Sequence, residues 1–220
     1  MMTLAKESGL DVADVELVDV KAILGLLPGL DVVGDTALAV RRFDRQRGLR
    51  VHMEDFAQVL DVRVAEKCSA ANFETIARIV GRVAKESVEE LVRRMVFVVA
   101  IGNGDAHLKN WSLLIEDGVH ARLSPAYDLL STIEFLPDDD LGLNLARSKR
   151  FEDIGMESFL HLGRKADLAV DVEAIVRSQV ERVREAWTRL RADLPMVEVA
   201  KANIESHWGR VPLMGKRSVR

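Results

Sequence analysis

Apolar residues near the start of the chain follow a strand-like alternation. Val15–Val20 alternates apolar and polar positions, and Thr36–Arg42 is a second short segment that favours a strand; such alternation predicts half-buried strands. The glycines and the proline of Leu24–Gly34 predict a turn region between the two. Residues 3–9 predict the end of a helix that Gly9 stops. This opening segment is too short to build a complete sheet with a core of its own.

From Met53 onward, apolar residues recur at helical spacing. Met53–Leu60 predicts a short helix, and the apolar residues after Asn72, its possible cap, predict a second one. Ser87 opens a capping-box pattern, and the helix after it is apolar on most faces until Gly102, so we expect it to be central and buried. Two further helices are predicted, over Asp171–Arg191 and Val197–Trp208.

Between the central helix and the later ones, the sequence predicts a hairpin and several loops. Trp111–Ile115 and Val119–Leu123 flank Asp117–Gly118, a pair typical of a type I′ turn. Ser124–Thr132 is predicted as a loop that leads into a short helix, and Asp138–Asp140 as an acidic loop. The predicted fold class is therefore α+β and predominantly α-helical.

Composition limits the classes of function. A net charge of −4 gives the chain no overall attraction to nucleic acid or anionic lipid, so we expect no direct nucleic-acid binding and no membrane partner. Cys68 is the only cysteine, which excludes a disulfide within the chain and favours a reducing compartment. The start has no signal-peptide pattern, and the longest apolar run, Met95–Ile101, is too short to span a bilayer. We expect a cytoplasmic protein.

The densest group of polar residues is the segment Ile101–Asn110, I-G-N-G-D-A-H-L-K-N. Asp105 and Asn110 have the spacing used in kinases, where an aspartate accepts the proton of the attacking hydroxyl and an asparagine binds Mg²⁺. The amide suits that role because Mg²⁺ prefers hard oxygen ligands. The spacing alone fits a turn rich in Asn, Asp and Gly at least as well, with Asp105 as an Asx-turn residue.

A second acidic residue follows the predicted hairpin, in S-P-A-Y-D, which ends at Asp128. Kinases carry a second metal-binding aspartate after a hairpin that follows the catalytic loop, so Asp128 is a candidate Mg²⁺ ligand. Alternatively, Asp128 caps a helix that begins at Leu129. The two roles are compatible. None of the five histidines has zinc-ligand spacing, which argues against a zinc site.

Taken together, these segments resemble the HipA family of bacterial serine/threonine kinases. The matches are collinear and extend from about residue 4 to about residue 150. The segments that carry the resemblance are L-A-K-E-S-G-L (Leu4–Leu10), R-F-D-R (Arg42–Arg45), H-M-E-D-F-A-Q (His52–Gln58), I-G-N-G-D-A-H-L-K-N-W-S (Ile101–Ser112) and L-S-P-A-Y-D-L-L-S-T (Leu123–Thr132). The resemblance implies a protein-kinase-like C-lobe, with residues 1–50 as a strand-containing remnant of the N-lobe and hinge, and residues 51–220 as the helical catalytic lobe.

The resemblance also implies roles for individual residues, with ATP and Mg²⁺ as cofactors. The residues are Asp105 as catalytic base, Asn110 and Asp128 as Mg²⁺ ligands, Phe43 and Asp44 as the hinge that meets adenine and ribose, His107 and Tyr127 as the lining of the nucleotide pocket, and Lys109 as a group that neutralises phosphate charge. From the residues alone, His107 fits a loop histidine without a role, and Lys109 fits a solvated lysine equally well. His52, Glu54, Asp55 and Gln58 are interpreted as structural, supporting the catalytic loop or capping a helix.

The function implied by the resemblance is transfer of the ATP γ-phosphate to a protein serine or threonine, by the toxin of a type II toxin–antitoxin pair. The expected partners are a protein substrate and a HipB-like DNA-binding antitoxin. The family's glycine-rich loop and phosphate-binding lysine precede the segment that resembles Leu4–Leu10, so we expect this chain to lack both. Its glycines 25, 29 and 34 form no G-x-G-x-x-G, and Lys21 follows the matched helix rather than preceding it.

Two alternatives to an active kinase stay open on the sequence. One is a catalytically silent, truncated module that binds the antitoxin or another protein; the other is a truncated reading frame. In each case the apolar faces of Val15–Val20 and Thr36–Val40 lack sheet partners, so we expect them to be exposed or to be covered by a partner.

Overall fold

A short helix and a separate hairpin form the start of the fold. The computed structural model describes residues 1–23, 34–46 and 48–215, so most of the predicted turn Leu24–Gly34, including glycines 25 and 29, lies outside the described residues. Helix α1 is Met2–Glu7, and β1 (Val15–Asp19) pairs antiparallel with β2 (Thr36–Val40). The predicted helix end and both predicted strands are confirmed, with slightly shorter strands. Gly9, after α1, has a φ of +86°, which suits glycine.

The hairpin β1–β2 keeps an apolar face in solvent. Leu17 lies opposite Leu38 across the two strands, and each is 56% exposed; Val40 is exposed as well. In the described part of the chain, this sheet contains only these two strands. The prediction that these faces lack further sheet partners within the chain is therefore confirmed for the described residues.

A three-stranded antiparallel sheet supports the middle of the fold. After a small hairpin of β3 (Arg45–Gln46) and β4 (Leu49–Arg50), strand β5 (His52–Asp55) pairs with β6 (Ser112–Ile115), and β6 pairs with β7 (Ala121–Leu123). The predicted helix Met53–Leu60 is therefore wrong in its first half, because β6 pairs with that segment, with Met53 opposite Leu114. Helix α2 is limited to Phe56–Val59.

The start of α2 bears out a structural role for two residues. The Asp55 carboxylate accepts a hydrogen bond from the Gln58 amide at 2.9 Å, and the Gln58 side chain accepts one from the Asp55 amide at 2.9 Å. This reciprocal capping box satisfies two amides that a helix start leaves without partners. It fixes the point at which the chain passes from β5 into α2.

The predicted type I′ turn is wrong. Ile115 lies opposite Ala121, so residues 116–120 form a longer loop between β6 and β7. A type I′ turn needs a positive φ at both central residues, but of the pair Asp117–Gly118 only Gly118 has one, at +79°. The Asp117 carboxylate instead accepts bonds from the amides of Val119 and His120, at 2.9 and 2.8 Å, and this stabilises the wider loop.

The helical body is built around a buried central helix. The larger helices are α3 (Phe73–Val83), α4 (Val88–Ala100), α5 (Met156–Ala166), α6 (Val172–Leu190) and α7 (Glu198–Arg210). Helix α4 packs against α3, α6 and α7, and nearly all of its residues from Leu91 onward are buried, as its sequence predicts. The predicted α+β, predominantly helical fold class is confirmed.

Several details of the predicted helices differ. Asn72 caps α3, as expected, by accepting from the Thr75 amide at 2.9 Å. Ser87 does not cap α4, because its hydroxyl accepts from the Leu123 amide at 3.0 Å and so attaches β7 to the helix. Helix α5 has no counterpart among the predicted elements, and the short helix predicted to follow Ser124–Thr132 does not form.

The end of α4 is tied to α7, which matters because the candidate catalytic loop starts there. His207 donates through Nε2 to the carbonyl of Val99 at 2.8 Å, and Trp208 donates through Nε1 to the carbonyl of Ala100 at 2.7 Å. Gly102 then ends the helix with a φ of +62°, as predicted. Over the described ranges, no helix combines the length and the apolar character required to cross a membrane.

Candidate active site

The loop after α4 presents Asp105 to solvent on a well-anchored backbone. The buried Asn103 accepts a hydrogen bond from the Asp105 amide at 3.1 Å, and the Gly104 amide donates to the Thr132 hydroxyl at 2.8 Å. The Asp105 carbonyl accepts from the His107 amide at 2.8 Å. The side chain of Asp105 remains 51% exposed, so its carboxylate can meet an incoming hydroxyl.

Asn110 and Asp128 lie in direct contact, although they are far apart in sequence. Asn110 Nδ2 donates to Asp128 Oδ2 at 2.7 Å. Asp128 has a φ of +57°, an uncommon conformation for a residue other than glycine, and one that Asp tolerates better than most. No helix begins at Leu129, so the alternative in which Asp128 is a helix cap is wrong.

His107 interacts electrostatically with the carboxylates of both Asp105 and Asp128. Its Nε2 lies 3.6 Å from Asp105 Oδ1, and its backbone amide donates to Asn110 Oδ1 at 3.1 Å. Burial lowers the pKa of His107 below its ordinary value, while the nearby carboxylates of Asp105 and Asp128 act in the opposite direction and raise it. The imidazole is therefore neutral at pH 7, and both carboxylates act on the same group.

Tyr127 connects the predicted hinge residue Phe43 to the candidate catalytic loop. Its ring packs against that of Phe43, with 5.6 Å between centroids. Its hydroxyl donates to the carbonyl of Lys109 at 2.7 Å and shares a 2.5 Å hydrogen bond with the hydroxyl of Ser112. Burial raises the pKa of Tyr127 to about 12, so the phenol stays protonated and keeps donating. Ser112 has no role in the sequence-based assignment.

Asp44, predicted as part of the hinge, is bound by side chains of its own chain. Arg42 binds its carboxylate through two nitrogens, at 2.8 and 2.5 Å, and Arg45 binds it as well. The hydrogen bond from Arg42 is the main reason why the pKa of Asp44 is lowered to about 2. The carboxylate therefore stabilises its own segment, through Arg42 and Arg45, and its contact with ribose stays a prediction.

Two lysines lie near the site, one on the loop itself and one on a segment that folding brings to it. Lys109 is exposed, and no side-chain hydrogen bond holds it in the described part of the chain, so both of its predicted alternatives stay open. Lys67, which sequence reasoning missed, lies on the segment that follows α2, and its carbonyl accepts from the Leu108 amide at 3.2 Å. No spacing in the sequence marks Lys67, because only the folded chain brings that segment to the loop.

Comparison with known protein families assigns this fold. The model of the HipA-like C-terminal domain matches residues 1–187. The chain belongs to this family. It is 41% identical over 216 residues to "Putative kinase Y4dM" of Sinorhizobium fredii, covering 97% of this chain and 53% of that protein. It is 28% identical over 233 residues to "Putative kinase Y4mE" of the same organism, covering 97% and 52%.

Solved structures agree on the fold of this HipA-like chain. It superposes with a TM-score of 0.71 on a chain from the toxin–antitoxin complex of HipA, HipB and operator DNA of Shewanella oneidensis, at 20% identity, covering 94% of this chain and 51% of that one. It superposes with a TM-score of 0.59 on the proinflammatory kinase CtkA of Helicobacter pylori, at 13% identity, covering 97% and 79%. The fold is therefore kinase-like, as predicted.

The HipA-like chain spans about half the length of the curated relatives it matches. The match nevertheless includes the whole arrangement of Asp105, His107, Asn110 and Asp128, since the family model extends over residues 1–187. The sequence-based site residues on the catalytic loop and at Asp128 thus lie together in the structure, within the part that the family shares.

Proposed function

We propose that this HipA-like chain carries the catalytic centre of a protein serine/threonine kinase, which uses ATP and Mg²⁺. The observation that carries this proposal is the convergence of Asp105, Asn110 and Asp128 around His107. A base, an amide oxygen and a second carboxylate at one place are the groups that phosphoryl transfer requires. Relatives designated as kinases support the same assignment.

In the proposed reaction, Asp105 orients the hydroxyl of the protein substrate and accepts its proton. The hydroxyl oxygen forms a bond to the γ-phosphorus, the bond from that phosphorus to the β–γ bridging oxygen breaks, and ADP leaves with the electron pair. Little covalent work falls to the protein, so positioning and charge stabilisation supply most of the rate. The exposed position of the Asp105 side chain gives the substrate access.

The donor set fits Mg²⁺. Mg²⁺ is held in such sites by one or two carboxylates together with substrate phosphates, and it neutralises phosphate charge there. Asp128 would supply a carboxylate oxygen, of which only Oδ2 has a hydrogen bond in the described residues. Asn110 Oδ1 accepts from the His107 amide, but a carbonyl oxygen has two lone pairs and can bind a metal as well.

The remaining assignments extend this proposal to the nucleotide and the partners. Phe43 and Asp44 would meet adenine and ribose, His107 and Tyr127 would line the pocket, and Lys109 would offset phosphate charge. The likeness to a HipA–HipB complex supports a toxin role, with a HipB-like DNA-binding antitoxin as partner in the cytoplasm. The exposed Leu17–Leu38 face favours a second candidate, a silent module that binds another protein.

The test compares nucleotide binding and turnover by the purified chain with and without Mg²⁺. We expect ATP to bind and its γ-phosphate to be transferred only with Mg²⁺. Asp128→Asn should raise the Mg²⁺ concentration for half-maximal ATP binding roughly tenfold or more, because it removes a charged oxygen ligand. Asp138→Asn, in an exposed loop, is the matched control. Absence of both binding and turnover would favour the silent module.

Gly104 offers a separate test of loop position. A Cβ at Gly104 would overlap the side chain of Asp139 and meet the carbonyl oxygen of Asp140 at 2.6 Å, so Gly104→Ala must push the loop that carries Asp105 and the segment of Asp139 and Asp140 apart. We expect phosphoryl transfer to fall by roughly a hundredfold, since misplacement by about 1 Å costs that much. Initial-rate measurements at saturating ATP would show the loss.

The control for Gly104→Ala is Gly209→Ala, within α7. A Cβ at Gly209 meets nothing within 4 Å, and alanine is favoured over glycine inside a helix by about 1 kcal/mol. We expect this variant to keep its activity and to unfold at an equal or higher temperature. Equal activity in the Gly104 and Gly209 variants would contradict the role of the loop.

A further inference from the structure

Lys67 lies against the catalytic loop through its backbone. Its carbonyl oxygen accepts a hydrogen bond from the amide of Leu108, which is between His107 and Lys109 in the loop. A second bond holds the same segment, since Lys149 Nζ donates to the carbonyl of Cys68 at 2.9 Å. The Lys67 backbone is therefore fixed beside the candidate active site by two long-range contacts.

Lys67 is half-buried, and its ammonium group has no hydrogen-bond or ion-pair partner in the described ranges 1–23, 34–46 and 48–215. The neighbouring Lys149 differs, because its ammonium is bound by two carbonyls, those of Cys68 and Gly142, at 2.9 and 3.1 Å. Lys149 therefore has a structural role, whereas the charge of Lys67 is left available.

Many lysines bury their stems and leave their ammonium groups in water without a function. Lys67 differs from such lysines by its place. Its backbone is bound to Leu108, in the loop that holds Asp105, where ATP would add several negative charges. A cation preorganised there stabilises the charge of the transferred phosphoryl group more than it would in open solvent.

We propose that Lys67 is a phosphate-binding residue of the catalytic site, whose ammonium group contacts the γ-phosphate of bound ATP. This inference rests on the proposed kinase function. It assigns the cationic contact to a segment that precedes the catalytic loop, and it predicts that the contact distinguishes ATP from ADP, because ADP lacks the γ-phosphate.

The test measures the affinities of the full chain for ATP and ADP by calorimetry at fixed Mg²⁺. We expect Lys67→Met to weaken ATP binding about tenfold or more, as for the loss of a charge-assisted hydrogen bond, and to change ADP binding less than about twofold. Lys67→Arg should restore most of the affinity for ATP, because it keeps the charge. Lys85→Met, at an exposed position, should change neither affinity.

A second measurement uses the unmodified protein and so does not depend on how a variant folds. Amine-reactive labelling of Lys67, read by mass spectrometry, should be slowed by Mg²⁺-ATP and much less by Mg²⁺-ADP. Equal protection by the two nucleotides would overturn the inference, as would a Lys67→Met variant that loses affinity for both equally or for neither. If the wild-type chain bound neither nucleotide, the proposed function itself would fail, and this inference with it.

Discussion

We expect Glu90→Ala to lower the free energy of unfolding by about 3 kcal/mol, because it leaves a buried charge without its partner. Arg94 is 3% exposed in the middle of α4, and its Nε donates to Glu90 Oε1 at 2.7 Å. One further nitrogen of Arg94, Nη2, is buried without a hydrogen bond in the described structure. Removal of Glu90 would therefore leave the guanidinium desolvated and poorly compensated. Urea denaturation with an unchanged m-value would report the loss.

The control for Glu90→Ala lies one residue earlier. Glu89 pairs with Arg93 with the same four-residue spacing, but its side chain is 50% exposed. Exposed pairs of this kind contribute about 0.3–0.5 kcal/mol, so Glu89→Ala should be close to neutral. Similar losses of stability in both variants would show that burial of the Arg94 charge is not the cause.

The same pair also supports the candidate site, which connects stability to function. Glu90 Oε1 accepts from the Asp11 amide at 3.1 Å. The carbonyl of Asp11 in turn accepts from the Ala126 amide at 2.8 Å, and the Ala13 amide donates to the Ala126 carbonyl at 2.8 Å. Ala126 is two residues before Asp128, so the buried ion pair helps to hold the backbone from which the proposed metal ligand extends.

The parts of the fold that the sequence predicts well are those in which local pattern and tertiary packing agree. The all-round apolar character of α4 matches its central position, and the apolar stripe of α6 is packed against α4. Asp171 caps α6 by accepting from the Ala174 amide at 3.0 Å, which places its start within one residue of the predicted bound. In both helices, no distant contact opposes the local preference.

The elements that were missed depend on partners far away in sequence. His52–Asp55 becomes a strand because β6, some sixty residues later, offers an edge for pairing. The Ser87 hydroxyl binds the amide of Leu123 instead of capping its own helix. Helix α5 begins at a glycine cap and contains Gly163, which weakens its helical signal, yet it buries Phe159 and Leu162. Pattern along the chain does not contain these contacts.

Some features of the candidate site could likewise be predicted from the sequence, and others depend on the folded chain. Asp105, Asn110 and Asp128 could be selected as candidates in advance, because the chemistry restricts their residue types and order along the chain and the family resemblance includes all three. The ion pair between Arg42 and Asp44 could not be predicted, because the sequence from Arg42 to Asp44 is equally compatible with a free carboxylate. Lys67 was not a candidate, because among the described residues its hydrogen bond to the loop is made by its backbone, with the amide of Leu108, and no sequence pattern marks such a contact.

We expect Asp105→Asn to lower the rate of phosphoryl transfer by about 10²–10⁴-fold, the range typical of the loss of a general base. Asparagine has nearly the same shape but accepts no proton, so the attacking hydroxyl would keep its proton as the bond to phosphorus forms. The Asp105 side chain is half exposed, and its backbone amide is held by Asn103, so the loop should keep its conformation. Single-turnover measurements with Mg²⁺-ATP would give the rate of the chemical step.

The pattern of effects is as informative as their size. Since Asp105 acts on the hydroxyl rather than on the nucleotide, Asp105→Asn should leave the affinity for Mg²⁺-ATP intact, whereas Asp128→Asn should weaken it. Each substitution removes one negative charge from the site, so a difference of this kind cannot come from a general change in charge there. A chain in which Asp105→Asn transferred phosphate at the wild-type rate would have its catalytic base elsewhere.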